Sequence, residues 1–333
     1  MSETKNVDIC FNPSPDKAIR LEPMDEWMAS WHQFDEPSIW AVRAALATGR
    51  PLLVRGEPGT GKSQLARAVA AVLKRPLLYE VVNSRTEVTD LLFQFDAVAR
   101  LAEAQIQGAS KVHNPDEVRK MLAPERFVRP GRMWWAMNWE EAEAQAVLSG
   151  TAVPSGRESA LTNGCVLLVD EIDKADSELP NALLECFANQ SFQVPYLTKA
   201  IRPHQTQPRP LVVVTTNEER ELPAPFLRRC LVLQLLLETN DAKLKAFLVR
   251  RGDVHFQEEF KNIDGYQTVL ETAADLLILD RNKLGSNVVH RPGQAEYLDL
   301  CHAVFEIARQ KTCGSAEQVL EDVAEFALRK NVE

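Results

Sequence analysis

The residues able to do chemistry fall in three runs. Gly56-Glu57-Pro58-Gly59-Thr60-Gly61-Lys62-Ser63 fits the pattern G-x-x-x-x-G-K-[ST] without mismatch. Its glycines let the backbone curl around a phosphate with no Cβ in the way. The loop amides and the start of the following helix then point at negative charge. In that arrangement Lys62 reaches the β- and γ-phosphates of a nucleotide, and the Ser63 hydroxyl is a ligand for Mg²⁺. The second run, Val166-Leu167-Leu168-Val169-Asp170-Glu171, is an apolar strand ending in two carboxylates. Ligands of open parallel sheets bind at the carboxyl ends of the strands, so these carboxylates would meet the phosphate site. Asp170 would hold Mg²⁺ through its water shell, and Glu171 would polarise an attacking water. The third run, Leu211-Val212-Val213-Val214-Thr215-Thr216-Asn217, ends in an amide that could orient that water beside Glu171.

These groups need strands and helices to position them. Pro51-Leu52-Leu53-Val54-Arg55 reads as a short buried strand, and 64–73 as a helix with Leu65, Val69 and Leu73 at helical spacing. Residues 77–82, hydrophobic apart from Glu80, read as a central strand of a parallel sheet. Strand, helix and strand make a βαβ unit with a right-handed crossover. Residues 231–237 read as one more strand, and from about 238 the period is helical. The expected fold is therefore α/β, a parallel sheet flanked by helices and followed by a smaller all-helical lid domain. Its divisions are an N-terminal arm at 1–35, a core at 36–238 and the helical domain at 239–333.

The arm carries Pro13, Pro15 and Pro23 over an extended stretch, with Trp27, Trp31 and Phe34 to fasten it. A helix over 39–48 leads into the first strand. Residues 84–163 form a long insertion, with helices predicted at 98–107, 115–122 and 133–148, a turn at 126–132 and a loop at 151–164. Arg119, Lys120, Arg126, Arg129 and Arg132 make it locally basic, either as a solvated face over aromatic core or as a contact surface for a partner. A helix is expected at 179–188. Residues 191–209 suggest a hairpin bearing Lys199, Arg202, His204 and Arg209, and later breaks fall at Gly285 and Arg291-Pro292-Gly293.

The net charge of −9 over 333 residues argues against whole-surface attraction to nucleic acid or anionic membrane. No apolar run approaches the roughly 18–20 residues needed to span a bilayer. The N-terminus lacks the apolar stretch of a secretory leader. None of the six cysteines, Cys10, Cys165, Cys186, Cys230, Cys301 and Cys313, stands at C-x-x-C spacing. Free thiols and a cytoplasmic location are the expectation.

With ALATGRPLLVRGEPGTGKS, VLLVDEID, the TTN strand end and ELPAPFLRRC in view, residues 36–310 resemble the AAA+ ATPases, and among them the MoxR group. The resemblance implies a P-loop NTPase fold and ATP with Mg²⁺ bound between subunits of a homo-oligomeric ring, usually a hexamer. It also implies a protein client remodelled by ATP turnover, with a von Willebrand A-domain partner on a separate chain. Nucleotide contacts would extend along the loop to Gln64. In Phe226-Leu227-Arg228-Arg229-Cys230, Arg229 aligns best with the finger that such proteins supply to the neighbouring subunit, and Arg228 is its rival. Many relatives place a sensor arginine where Val289-His290-Arg291-Pro292-Gly293-Gln294-Ala295-Glu296 here puts Ala295; Arg291 stands near enough to substitute. The insertion is longer than the group usually needs, which suggests a specialised contact surface. Two other readings stay open: a nucleic-acid motor of a restriction or defence system, and a nucleotide switch that does not hydrolyse.

Overall fold

The computed structural model describes residues 11–25, 27–109, 114–283, 291–310 and 314–328. The expected turn at Gly285, the first ten residues of the arm, Cys10 and Cys313 lie outside them. The chain opens with β1 (Ile19–Leu21), β2 (Ser30–His32), α1 (Glu36–Thr48), β3 (Leu52–Arg55), α2 (Lys62–Leu73) and β4 (Leu77–Val81). The insertion holds α3 (Val88–Leu92), β5 (Phe93–Phe95), α4 (Ala97–Ala109), α5 (Pro115–Met121), β6 (Val128–Pro130), α6 (Arg132–Met137), α7 (Trp139–Ser149) and α8 (Arg157–Asn163). Then come β7 (Val166–Asp170), α9 (Glu178–Asn189), β8 (Leu211–Thr216), α10 (Ala224–Arg229) and β9 (Leu231–Gln234). Four helices close the chain: α11 (Asp241–Phe260), α12 (Tyr266–Lys283), α13 (Gln294–Arg309) and α14 (Ala316–Leu328). No helix among the described residues is long and apolar enough to cross a membrane.

The chain divides into two compact units. The first holds Pro37–Val54 and Val69–Leu233, with the stretch ending at Asn12. It is built on a five-stranded parallel sheet in the order β4-β7-β8-β3-β9, flanked by helices. Leu77 to Val81 pair in register with Val166 to Asp170, and Val166 to Val169 with Leu211 to Val214. Every residue of β7 and β8 is buried. That follows from their unbroken apolar runs, because a parallel strand is covered on both faces. Truncating a core residue such as Leu167 to alanine should cost about 2–5 kcal/mol, so the strand ends that carry Asp170 and Thr216 are held firmly. The core spreads from the sheet into the insertion, where Trp134 and Trp139 are fully buried and Trp135 nearly so.

Several expectations are corrected in this unit. The strand at 77–82, expected to be central, is β4 at the edge of the sheet beside β7; only Leu78 of β4 is buried, and Glu80 interrupts its apolar run. The predicted turn at 126–132 contains a strand: Val128–Pro130 pairs antiparallel with Phe93–Phe95. Three-residue strands are too short to show alternation. The helix expected over 133–148 is two helices, because Asn138 leaves the helical conformation (φ −150°, ψ 88°) and its side chain caps α7 by accepting from the Glu141 amide at 3.2 Å. The expected loop at 151–164 contains α8, bounded by Gly156 and Gly164. The hairpin at 191–209 shrinks to a single bridge between Phe192 and Ile201. Its proline-rich remainder cannot keep up a ladder. The last strand ends at Gln234 rather than at 237. Arg129 of the basic segment is paired with Asp96 at 2.6 Å, and His204 lies 3.1 Å from Glu140.

The second unit holds Pro13–Glu36, Arg55–Ala68 and the chain from Gln234 onward. Phe34 is buried, as expected, but Trp27 and Trp31 are only half-buried. The arm folds into the antiparallel pair β1–β2 and is fastened by a cation. Arg67 of α2 donates to the Met28 carbonyl at 3.0 Å, the Ser30 hydroxyl at 3.3 Å and the Glu22 carbonyl, with its guanidinium 5.7 Å from the Trp27 ring centre. Helices α11 to α14 close around Leu248, Val269, Leu270, Tyr297, Leu300 and Phe305.

Candidate functional site

In the second unit the glycine loop is shaped by backbone angles that side chains resist. Gly59 has φ +76° and Gly61 φ +90°. A Cβ on Gly61 would meet nothing within 4 Å, so this turn faces open space. Lys62 is 6% exposed, and its Nζ donates at 2.9 Å to the Gly56 and Glu57 carbonyls. The Thr60 hydroxyl donates to the Glu57 carbonyl at 2.9 Å, and the Leu65 amide to the Gly61 carbonyl at 2.9 Å, which starts α2. Ser63 is half-buried on the first turn of that helix. The Gln64 side-chain amide donates to the Ser30 hydroxyl at 3.1 Å.

The start of α13 lies against this loop. Gly293 stands beside the Pro58 carbonyl, and a Cβ on Gly59 would come within 3.0 Å of the Ala295 Cβ. Such a tight fit leaves little room for a longer side chain at 295. A cation reaches the loop from α12 instead: Arg281 donates to the Glu57 carboxylate at 3.0 Å and to the Pro292 carbonyl at 2.6 Å. Arg291 is half-buried just before α13. The sequence reading missed Arg281, which is separated from the loop by most of the chain.

In the first unit the carboxylates form a bonded cluster at the ends of β7 and β8. Asp170 is 9% exposed and accepts from the Thr215 hydroxyl. The same hydroxyl accepts from the Glu171 amide at 2.9 Å. Glu171 sits in the left-handed region (φ 58°, ψ 47°), which turns it sharply off the strand end. Its Oε1 accepts from the Asn217 side-chain amide at 3.2 Å, and its Oε2 from the Lys174 ammonium at 2.5 Å. That hydrogen bond is the largest of the influences raising the Lys174 pKa above its ordinary value. Asp173, 2% exposed, accepts from the Asn217 and Glu219 amides at 3.2 and 3.0 Å and so fixes the loop after β8. The structure thus brings Asp170, Glu171 and Asn217 together. Thr215, Asp173 and Lys174 were missed as partners, although all three stand within or beside the runs that were noticed.

Arg228 and Arg229 end α10 with exposed side chains. Their backbone carbonyls are held by Arg50, another residue the sequence reading did not single out. Among the described residues no three His, Cys, Asp or Glu side chains group as a metal site of their own. The four described cysteines, Cys165, Cys186, Cys230 and Cys301, are buried and form no disulfide.

No curated protein matches the chain. Two solved structures of Thermotoga maritima RuvB, one a variant and one described as a Holliday junction branch migration motor, are each 15% identical to it. The matches cover 87% of this chain and 68% and 67% of those, with TM-scores of 0.43 and 0.42. A Cytophaga hutchinsonii protein described provisionally as an ATPase is 13% identical, with 87% and 79% covered and a TM-score of 0.36. The family model for the AAA domain of the dynein-related subfamily matches residues 51–230. That is more than half of the sequence, and the chain belongs to this family of AAA ATPases.

Proposed function

We propose that this AAA ATPase is of the MoxR type, hydrolyses ATP as a homo-oligomeric ring, and uses the turnover to remodel a partner protein. The observation that carries the hydrolytic part is the hydrogen bond between Asn217 and Glu171, a carboxylate already fixed beside a side chain able to hold water. Each carboxylate oxygen has two acceptor positions, so one bond to Asn217 and one to Lys174 leave Glu171 able to take a proton. The residues suit the nucleotide. Gly61 opens onto free space, and Ser63 and Asp170 offer the oxygen ligands that a hard cation prefers.

The roles follow from these groups. Loop amides and Lys62 hold the β- and γ-phosphates. Ser63 and Asp170 would hold Mg²⁺, which when bound neutralises phosphate charge. Glu171 takes the proton of the attacking water, and Asn217 orients that water. Arg229, with Arg228 as its rival, extends to the neighbouring subunit's phosphates. The client is a separate protein chain, with a von Willebrand A-domain protein as the first candidate partner. The net charge of −9 favours a protein client over nucleic acid, and stimulation of turnover by DNA would reverse that choice.

Mixing tests the reading. Glu171→Gln subunits keep the finger and lose the base; Arg229→Ala subunits do the opposite. A mixed ring contains interfaces that pair an intact Glu171 with an intact Arg229, whereas neither pure ring has any. Turnover at fixed total protein should therefore pass through a maximum at intermediate mixing ratio once subunit exchange is verified. A flat line at the parental floor would remove the finger assignment.

A further inference from the structure

Arg50 is the second residue after α1 and lies two residues before β3. Its Nε donates to the Arg229 carbonyl at 3.0 Å, and its Nη2 to the Cys230 carbonyl at 3.0 Å and the Arg228 carbonyl at 2.5 Å. One guanidinium thus closes three successive carbonyls where α10 ends. The last carbonyls of a helix have no partner within it, and a cation there also meets the negative end of the helix. The arrangement uses the planar fork of arginine, which an ammonium cannot reproduce. Next to it, the Leu231 amide donates to the Pro51 carbonyl at 2.8 Å, so residues 50 and 51 grip the chain on both sides of Cys230.

The need for such a grip lies in the shortness of α10. Six residues cannot hold a helix by themselves, because nucleation is costly and few bonds follow it. Phe226 is its one fully buried residue, and Arg228 and Arg229 project from its exposed last turn. We infer that Arg50 is a positioning residue for the arginine finger, fixing the backbone from which Arg228 and Arg229 reach the neighbouring subunit. The inference rests on the finger reading above. Because residue 50 opens the segment that runs through β3 into the glycine loop, the finger a subunit extends is tied to the strand that feeds its own nucleotide loop.

Displacement of a catalytic group by about 1 Å can cost 10²-fold in rate. Arg50→Ala is therefore expected to bind ATP like the parent and turn it over about 10²-fold more slowly. Complementation separates positioning from damage. Arg50→Ala subunits mixed with Glu171→Gln subunits should regain activity, because the first keep their base and the second their finger. Arg50→Ala mixed with Arg229→Ala should stay at the floor, because both lack a placed finger. If the Arg229→Ala and Glu171→Gln mixture recovers while the Arg50→Ala and Glu171→Gln mixture does not, Arg50 serves its own site or the fold and the inference is overturned. If the Arg229→Ala mixture itself stays flat, the finger reading fails and takes the role of Arg50 with it. Parent-rate turnover by Arg50→Ala also overturns the inference. Should that variant not fold, Arg50→Lys decides with the same mixtures. It keeps the charge without the fork, so kcat should fall in part, KM for ATP should hold, and the complementation pattern should be the same. A parent kcat in Arg50→Lys would sink the idea.

Discussion

Glu171→Gln is expected to bind ATP as tightly as the parent protein and to hydrolyse it about 10²–10⁴-fold more slowly, the range a positioned general base contributes. The substitution is nearly isosteric. Its backbone amide still donates to Thr215, so the turn after β7 is kept, and Asp170 keeps its own bond to the Thr215 hydroxyl. The side-chain oxygen can still accept from Asn217 or Lys174. What disappears is the capacity to take a proton. Loss of the ion pair with Lys174 is a small matter, because such partly exposed pairs contribute about 0–1 kcal/mol. Calorimetric ATP binding, a melting curve and a phosphate-release assay check the three parts. Hydrolysis at the parent rate would exclude Glu171 as the base, while lost ATP binding would mean that the cluster, not the chemistry, had been disturbed.

Lys62→Ala is expected to abolish useful nucleotide binding. Hydrogen bonds to charged groups contribute about 1.5–3 kcal/mol each, so losing two such bonds to phosphate weakens affinity by about 10²–10⁴-fold. The starting condition softens that figure a little. Lys62 already donates to the Gly56 and Glu57 carbonyls, and phosphate must compete with these for the ammonium. In the alanine variant the same carbonyls lose their donor, which loosens the loop it should cradle. Calorimetry under conditions that saturate the parent reads the effect. Retained tight binding would show that the loop amides suffice and that Lys62 has another role.

Residue contiguity decided what could be read from the sequence. The glycine loop, Asp170, Glu171 and the strands β7 and β8 are each continuous runs whose chemistry and burial need no distant partner. Arg291 could be singled out because its stretch is contiguous with Ala295, whereas Arg281 reaches Glu57 only through the packing of helices. Arg50 likewise meets α10 across 178 positions or more. Asp173 and Thr215 stood inside noticed runs, yet their partners come from the neighbouring strand or from the loop after it. In the fold, β5, β6 and α8 were hidden by their shortness. Asn138 sits in a stretch whose composition reads as one helix on both sides of the break.

Glu171 is also the least comfortable residue of its turn. A left-handed backbone costs an L-amino acid other than glycine about 1–2 kcal/mol, and φ 58° puts Glu171 there. Glycine would be free of that cost, and asparagine visits the region more readily than glutamate. Set against the ion pair with Lys174 and the long hydrogen bond from Asn217, each of small value at this partly exposed side chain, Glu171→Gly should raise the melting temperature slightly and end turnover, which melting and phosphate-release measurements can both follow. A screen that rewards heat resistance alone would be drawn toward glycine at this position. The winners would be sturdier proteins that hold ATP and do no work with it, so any directed evolution of this enzyme must select for turnover and robustness together.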